Sequence, residues 1–354
     1  MTLTSRSASQ TLHASQGDPD HSPAKSSPVE GEGRGDGDIP ARLSGAPPSP
    51  HEGKGRSAGD VPPRLSAARV TWLAARPATL AASVSPVLAG TAVAAHDHRL
   101  RALPGLGALL VAIAIQVGTN YANDYSDHLR GADRRRVGPL RAASSGVVPP
   151  RHVKRAAIAA FGVAAVVGVA VSLATTPLLM LFGALAIAAG WLYTGGPRPY
   201  GYVGLGEVFV FLFFGLLATV GTTYVHELRT PPAAWLAGCA TGFLACAILA
   251  LNNLRDIDTD AEAGKRTLAV RVGRRWTRIL IAVFLAVAVV APAAAVAFGW
   301  VPPWAALTVL TFPMAVAIWR ATAATEAPAL IGALQRAARM EVWWALLWTL
   351  GLLL

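Results

Sequence analysis

Beyond Val70 the chain runs in long apolar blocks separated by short polar breaks. Each block has about 17–25 residues, enough for a helix to cross roughly 30 Å of hydrocarbon. Nine blocks are legible, near 72–95, 102–122, 155–175, 177–194, 205–225, 233–254, 278–298, 303–320 and 338–354. The last is short and follows a stretch, 327–339, that reads as interfacial. The pattern predicts an all-α, polytopic membrane protein with nine transmembrane helices.

The beginning of the chain breaks this pattern. Residues 1–63 are rich in Ser, Pro, Gly, Asp and Glu, poor in aromatics, and carry 8 acids against 6 bases. Such a segment buries too little apolar surface to offset its ordering entropy, so a disordered polar tail is expected over 1–66 and a transmembrane domain over 67–354. The tail has no continuous apolar core of the kind a secretory signal needs. Composition sharpens the division. The 354 residues are 53% hydrophobic and only 14% charged, where soluble domains carry about 25% charge.

A net charge of +11 raises the question of nucleic acid, and its distribution answers it. Of the 22 Lys and Arg after Arg76, 19 fall in or beside loops that follow even-numbered blocks. Only Arg99, Arg101 and Arg229 fall on the other side. That asymmetry is a topology signal. It predicts a multi-pass protein of the cytoplasmic membrane, with the N-terminus and the basic loops cytoplasmic and no nucleic-acid partner. Cys239 and Cys246 lie seven apart in one block and read as small buried residues, not a disulfide or zinc site.

The acids are the unexpected feature. Only 12 Asp and Glu follow residue 63, and seven sit in two loops on the basic side. Asp124, Asp127 and Asp133 follow the second block, in "NDYSDHLRGADRRR". Asp256, Asp258, Asp260 and Glu262 follow the sixth, in "NNLRDIDTDAEAGKR". Ionisable groups beside hydrocarbon are costly and mark sites or pathways. On a helix Asn123 and Asp127 share a face, as do Asn120 and Asp124, and Asn252, Asp256 and Asp260 form one stripe while Asp258 points elsewhere. Hard oxygen donors without Cys or His suit Mg²⁺, which fills its shell with water and phosphate. Bases interleave the acids: Arg130, Arg134, Arg135, Arg136 and Arg141 in one loop, Arg255, Lys265 and Arg266 in the other. Acids for metal and bases for an anion describe a diphosphate pocket. A third loop on the same side, "YTGGPRPYGYVGLGE", lacks the features of a nucleotide-binding glycine loop, and is expected to turn Tyr193 and Arg198 toward that pocket. A secondary transporter is the alternative of another class, although its site is expected near the bilayer midplane rather than at one face.

These stretches resemble the UbiA-type intramembrane prenyltransferases. "NYANDYSDHLRGADRRRVGPLR", "YTGGPRPYGYVGLGE" and "NNLRDIDTDAEAGKRTLAVRVG" are most similar to the branch that prenylates 1,4-dihydroxy-2-naphthoate in menaquinone biosynthesis. The resemblance covers roughly 70–354. One departure stands out: the wider family often has a third acid where this chain has Gly131, and the next acid is Asp133. The resemblance implies nine helices around a central cavity open sideways to lipid, and two Mg²⁺ ions bridging the aspartate motifs to a polyprenyl diphosphate. Asn123 and Asp127 are implied to bind one ion and Asp256 and Asp260 the other, with Asp124 beside them. Lys265, Arg266, Arg130, Arg141, Tyr193 and Arg198 are then expected around the diphosphate or acceptor, and Tyr121 and Tyr125 are candidates to flank an allylic cation. The implied reaction joins the prenyl group to dihydroxynaphthoate with loss of CO₂ and diphosphate. The same fold acting on 4-hydroxybenzoate or homogentisate is the alternative. The resemblance leaves prenyl length, oligomeric state and the roles of Asp133, Asp258 and Glu262 open.

Overall fold

The computed structural model describes residues 66–76, 79–131, 141–144 and 147–354. The expected polar tail up to residue 65, and Asp133 with Arg134, Arg135 and Arg136, lie outside these. Among the described residues the secondary structure is helical throughout.

Six helical segments are long and apolar enough to cross a membrane: Ala102–Leu129, Pro150–Ala174, Gly206–Glu227, Pro232–Arg255, Leu268–Ala297 and Pro303–Ala321. Two apolar helices, Ala81–His96 and Leu178–Leu192, are shorter. In chain order the helices are α1 (Ala67–Ala74), α2 (Ala81–His96), α3 (Ala102–Leu129), α4 (Pro150–Ala174), α5 (Leu178–Leu192), α6 (Gly206–Val210), α7 (Ala218–Glu227), α8 (Pro232–Arg255), α9 (Ile257–Glu262), α10 (Leu268–Ala297), α11 (Phe312–Ala321) and α12 (Ala327–Leu353). A π-helical turn over Phe211–Leu217 joins α6 to α7, and a 3₁₀ stretch over Pro303–Thr311 leads into α11.

Three boundaries differ from expectation. The first apolar block is two helices, because the chain breaks at Arg76, which takes a left-handed φ of 53°. The seventh begins ten residues early, at Leu268, where the Thr267 side chain accepts from the Val270 N–H; a kink at Gly273 (φ 78°) follows. The ninth is one continuous helix, α12, with no separate interfacial piece.

α8 is the hub. Two thirds of its apolar window is buried inside the protein, against roughly a third for the other long spans. It packs against α10, α12, α2 and the π turn. The π turn brings Gly215 onto Gly242 so closely that a Cβ on Gly215 would lie 2.3 Å from the Gly242 Cα. Trp344 and Trp348 on α12, both fully buried, donate their indole N–H groups to Ala288 O (3.0 Å) and Ala89 O (3.3 Å), tying α12 to α10 and α2. Leu103, Val166, Leu173, Val290 and Leu310 point outward and are largely exposed. Apolar surface on this scale fits a protein solvated by lipid. The two helix ends are segregated: Arg101 at the start of α3 reaches Val225 O and Ala174 O, whereas the opposite end of α3 meets the loops described next.

Candidate active site

Asp127, in the last turn of α3, is buried and uses both carboxylate oxygens. Oδ2 accepts from Arg141 at 3.0 Å. Oδ1 accepts from the Tyr202 hydroxyl at 2.6 Å and from Lys265 Nζ at 3.2 Å. Lys265 Nζ also lies 3.8 Å from Asp260 Oδ1. One ammonium group therefore joins the α3 aspartate to the aspartate of α9, although 132 other residues separate the two along the chain. Asn123, a turn earlier on α3, accepts through Oδ1 from Thr194 Oγ1 at 2.8 Å.

The second acidic stretch is helical in its hydrogen bonding but not in one piece. α8 stops at Arg255, Asp256 takes φ −94° and ψ 8°, and α9 begins at Ile257. The bonds Asp256 N–H to Asn252 O (3.2 Å) and Asp260 N–H to Asp256 O (2.8 Å) carry the four-residue step across the break. Arg255 donates to both Asp256 oxygens, at 2.7 and 2.6 Å, and to Asn252 Oδ1 at 2.8 Å. The turn closes at Gly264 (φ 73°), a conformation that suits glycine, and delivers Lys265 to Asp260.

The loop between α5 and α6 completes the site. Its Tyr202 O accepts from Arg266 N–H at 2.8 Å, and Arg130 donates to Thr194 O and Gly196 O while its guanidinium lies 5.4 Å from the Tyr202 ring centre. The Tyr202 ring also faces Lys265 Nζ at 4.7 Å. Burial, then the charge of Asp127, pushes the Tyr202 phenol well above its ordinary pKa; burial does the same to Tyr200. Both stay neutral donors.

Asn123, Asp127, Arg141, Tyr193, Tyr202, Asp256, Asp260 and Lys265 line one cavity. Its polar wall gives way to Tyr200, Phe209, Phe213 and Phe214, with the Tyr200 and Phe209 rings stacked at 4.0 Å. The result is a charged end facing an aromatic and apolar end. Residues 83–335 match the UbiA prenyltransferase family. The chain belongs to this family.

UbiA relatives with curated names are similar over much of their length. The 1,4-dihydroxy-2-naphthoate octaprenyltransferase of Mycobacterium tuberculosis is 48% identical over 223 residues, covering 63% of this chain and 76% of that protein. The enzyme of the same name from Bacillus subtilis is 31% identical over 288 residues, 81% of this chain and 93% of that one. Among solved structures, a UbiA homolog from Aeropyrum pernix K1 superposes with a TM-score of 0.59 at 15% identity, covering 77% of this chain and 96% of that one. A UbiA homolog from Archaeoglobus fulgidus bound to DMAPP and Mg²⁺ gives 0.53 at 16% identity, covering 78% and 98%. At these identities the structures speak for the UbiA fold.

Several residues anticipated from sequence do not line the cavity. Asp124 faces the other way and accepts from the Ala142 and Ala143 N–H groups at 2.6 and 3.4 Å, so it anchors the segment that carries Arg141. Arg198 and Arg266 are exposed and outside the cavity, and Arg130 braces the α5–α6 loop instead of facing inward. Tyr121 donates to Thr71 O and Tyr125 lies beneath Lys154, so neither is placed to flank a cation in the cavity. Asp258 is exposed and pairs with Arg274 at 2.7 Å, and Glu262 is exposed. Conversely, Arg76, Thr194, Tyr202 and Asn253 line the cavity without having been singled out. Asn253 donates to Glu207 Oε1 at 3.1 Å. The signal for Tyr202 was present, since it stands in the same Gly-rich and aromatic loop as Tyr193.

No three His, Cys, Asp or Glu among the described residues converge as a ready-made metal cluster. The donors on the cavity wall are carboxylates and amides, in two sets joined through Lys265. Hard oxygen ligands that leave most of the shell to water and phosphate fit Mg²⁺.

Proposed function

We propose that this protein transfers a polyprenyl group from its diphosphate to 1,4-dihydroxy-2-naphthoate, releasing CO₂ and diphosphate and yielding the demethylmenaquinone skeleton. The reading extends the naphthoate octaprenyltransferase names of its relatives to this chain. The observation that carries it is the Lys265 bridge between Asp127 and Asp260, which gives both aspartate motifs one shared cavity with an apolar end.

Asn123 and Asp127 would hold one Mg²⁺, and Asp256 and Asp260 a second. When bound, Mg²⁺ neutralises diphosphate oxygens and so makes diphosphate a better leaving group. Lys265 and Arg141 add fixed positive charge at the same end of the cavity, where the departing diphosphate accumulates negative charge. Tyr202, held as a neutral phenol, keeps Asp127 and Lys265 in register. The C–O bond to diphosphate breaks as the allylic carbon becomes cationic, and the electron pair leaves with the diphosphate. Tyr200, Phe209 and Phe213 present aromatic surface to that cation and exclude water. The electron-rich naphthoate ring forms the new C–C bond at its carboxyl-bearing carbon. Loss of CO₂ returns the C–C electron pair to the ring, so no further base is needed at that carbon. The protein is proposed to cross the cytoplasmic membrane nine times, counting α2, α5 and α12 with the six long spans, with the aspartate loops on the cytoplasmic side.

The test is product identification. Purified protein incubated with octaprenyl diphosphate, carboxyl-labelled ¹⁴C-dihydroxynaphthoate and Mg²⁺ should release ¹⁴CO₂ and form the prenylated quinol, seen by mass spectrometry. EDTA should stop both and Mg²⁺ restore them. Prenylation of 4-hydroxybenzoate or homogentisate in preference to dihydroxynaphthoate would reject the acceptor assignment.

A further inference from the structure

The charged cavity does not end at its aromatic wall. Ile115, Ala186, Phe213 and Phe214 line it and also line a second cavity. That chamber lies among α2, α3, α4, α5, the π turn and α7, and reaches Ala108, Ser172 and Val225 at the helix ends remote from the aspartates. Its lining is overwhelmingly apolar, with no charged side chain in it.

Three of its wall residues are helical glycines: Gly168 on α4, Gly183 on α5 and Gly221 on α7. Other glycines in this protein permit close contact. A Cβ on Gly190 would lie 2.5 Å from Thr119 Oγ1, and one on Gly105 2.2 Å from the His226 ring. The chamber glycines differ. A Cβ on Gly183 would meet nothing within 4 Å. On Gly168 it would find only Val111 Cγ2 at 3.9 Å, and on Gly221 only Leu217 Cδ1 at 3.8 Å. Glycine within a helix costs about 0.5–1 kcal/mol relative to alanine. Packing does not require it at these positions. Its effect there is to keep the chamber wide.

We propose that this glycine-lined chamber takes the distal isoprene units of the prenyl diphosphate, and that Gly168, Gly183 and Gly221 set the longest tail the enzyme accepts. The proposal rests on the prenyl-transfer reading above. With the diphosphate at Lys265 and Arg141, the tail must extend through apolar surroundings, and the chamber continues the active cavity through Phe213 and Phe214. An isoprene chain carries a methyl branch on every unit. It therefore needs a wider channel than an unbranched chain, which glycine walls provide.

The experiment compares octaprenyl and geranyl diphosphate as donors for purified wild type, Gly183→Leu, Gly221→Leu, the milder Gly183→Ala, and Gly162→Leu. Gly162 is exposed on α4, lines neither cavity, and would find open space for a Cβ, so its variant serves as the control. In the chamber leucine variants the ratio of octaprenyl to geranyl kcat/KM should fall about tenfold or more, the scale on which a filled apolar pocket discriminates. Gly183→Ala should move the ratio the same way by less, and Gly162→Leu should leave it unchanged. An unchanged ratio in every chamber variant, or equal losses on both donors, overturns the proposal. A wild-type protein that transfers neither group to any acceptor instead overturns the functional reading on which it rests.

Discussion

Asp127 concentrates the chemistry of the site in one side chain. Its two oxygens engage Arg141, Tyr202 and Lys265, and these come from three different loops. Asp127→Asn keeps the shape and removes the charge that holds cations there, so prenyl transfer should fall below detection while the protein still inserts in membranes. Membrane fractionation alongside turnover checks both halves of that statement. Arg198→Ala and Arg266→Ala should retain at least about half of wild-type turnover, because exposed side chains away from special contacts usually contribute little. Tyr202→Phe deletes a hydrogen bond to a charged group, and should cost about tenfold or more in kcat/KM. Burial and Asp127 raise the Tyr202 pKa, so the phenol stays protonated through the alkaline range. The ratio of wild-type to Tyr202→Phe activity should then stay flat from about pH 7 to pH 9, below even an ordinary tyrosine pKa. A ratio that narrows as pH rises would mean that Tyr202 ionises.

At the scale of elements, each acidic motif depends on how a helix ends. The four-residue spacing of Asn123 and Asp127 held because α3 continues to Leu129. The spacing of Asn252, Asp256 and Asp260 held in hydrogen bonding, but the helix breaks at Asp256. Sequence periodicity described both motifs; it did not reveal that break, which needs only one residue to leave helical geometry. Nor did it separate Asp124 from Asp127. Helical positions three apart point about 60° away from each other, enough to give two side chains different neighbours. Asp124 is turned to the Ala142 and Ala143 amides, while Asp127 faces the cavity. The contact of the π turn with α8 is the other element-level constraint. Gly215→Leu cannot be accommodated against Gly242 without moving a helix, and overpacking of this kind costs about 1–3 kcal/mol or more. Its melting temperature in detergent should drop clearly below those of wild type and of Gly162→Leu. An unchanged melting temperature would mean that the two helices are not so closely packed.

For the molecule as a whole, Arg141, Lys265 and both aspartate motifs meet at one end, opposite Arg101 and its partners at Ala174 and Val225. With both native cysteines replaced, a single cysteine at Arg198 and one at Arg229 should react with an impermeant thiol reagent from opposite sides of the membrane, the first from the cytoplasm. Labelling of both from one side would overturn the topology, and labelling of the first only from outside would reverse it. Chain-long patterns were readable without coordinates because solvation imposes them locally. Hydrocarbon demands apolar runs of a given length, and charge asymmetry orients them. The acidic motifs were readable for the same reason, since charge beside lipid needs a purpose. Tertiary structure alone decided which side chains of those motifs meet. Lys265 reached Asp127 while Arg266, its neighbour, turned to solvent. Arg76, outwardly one more charge at the edge of a polar tail, became part of the cavity wall. Local composition sets the cost of burying a residue, but a shared cavity is a contact between distant segments, and only the packing of helices around α8 brings those segments together.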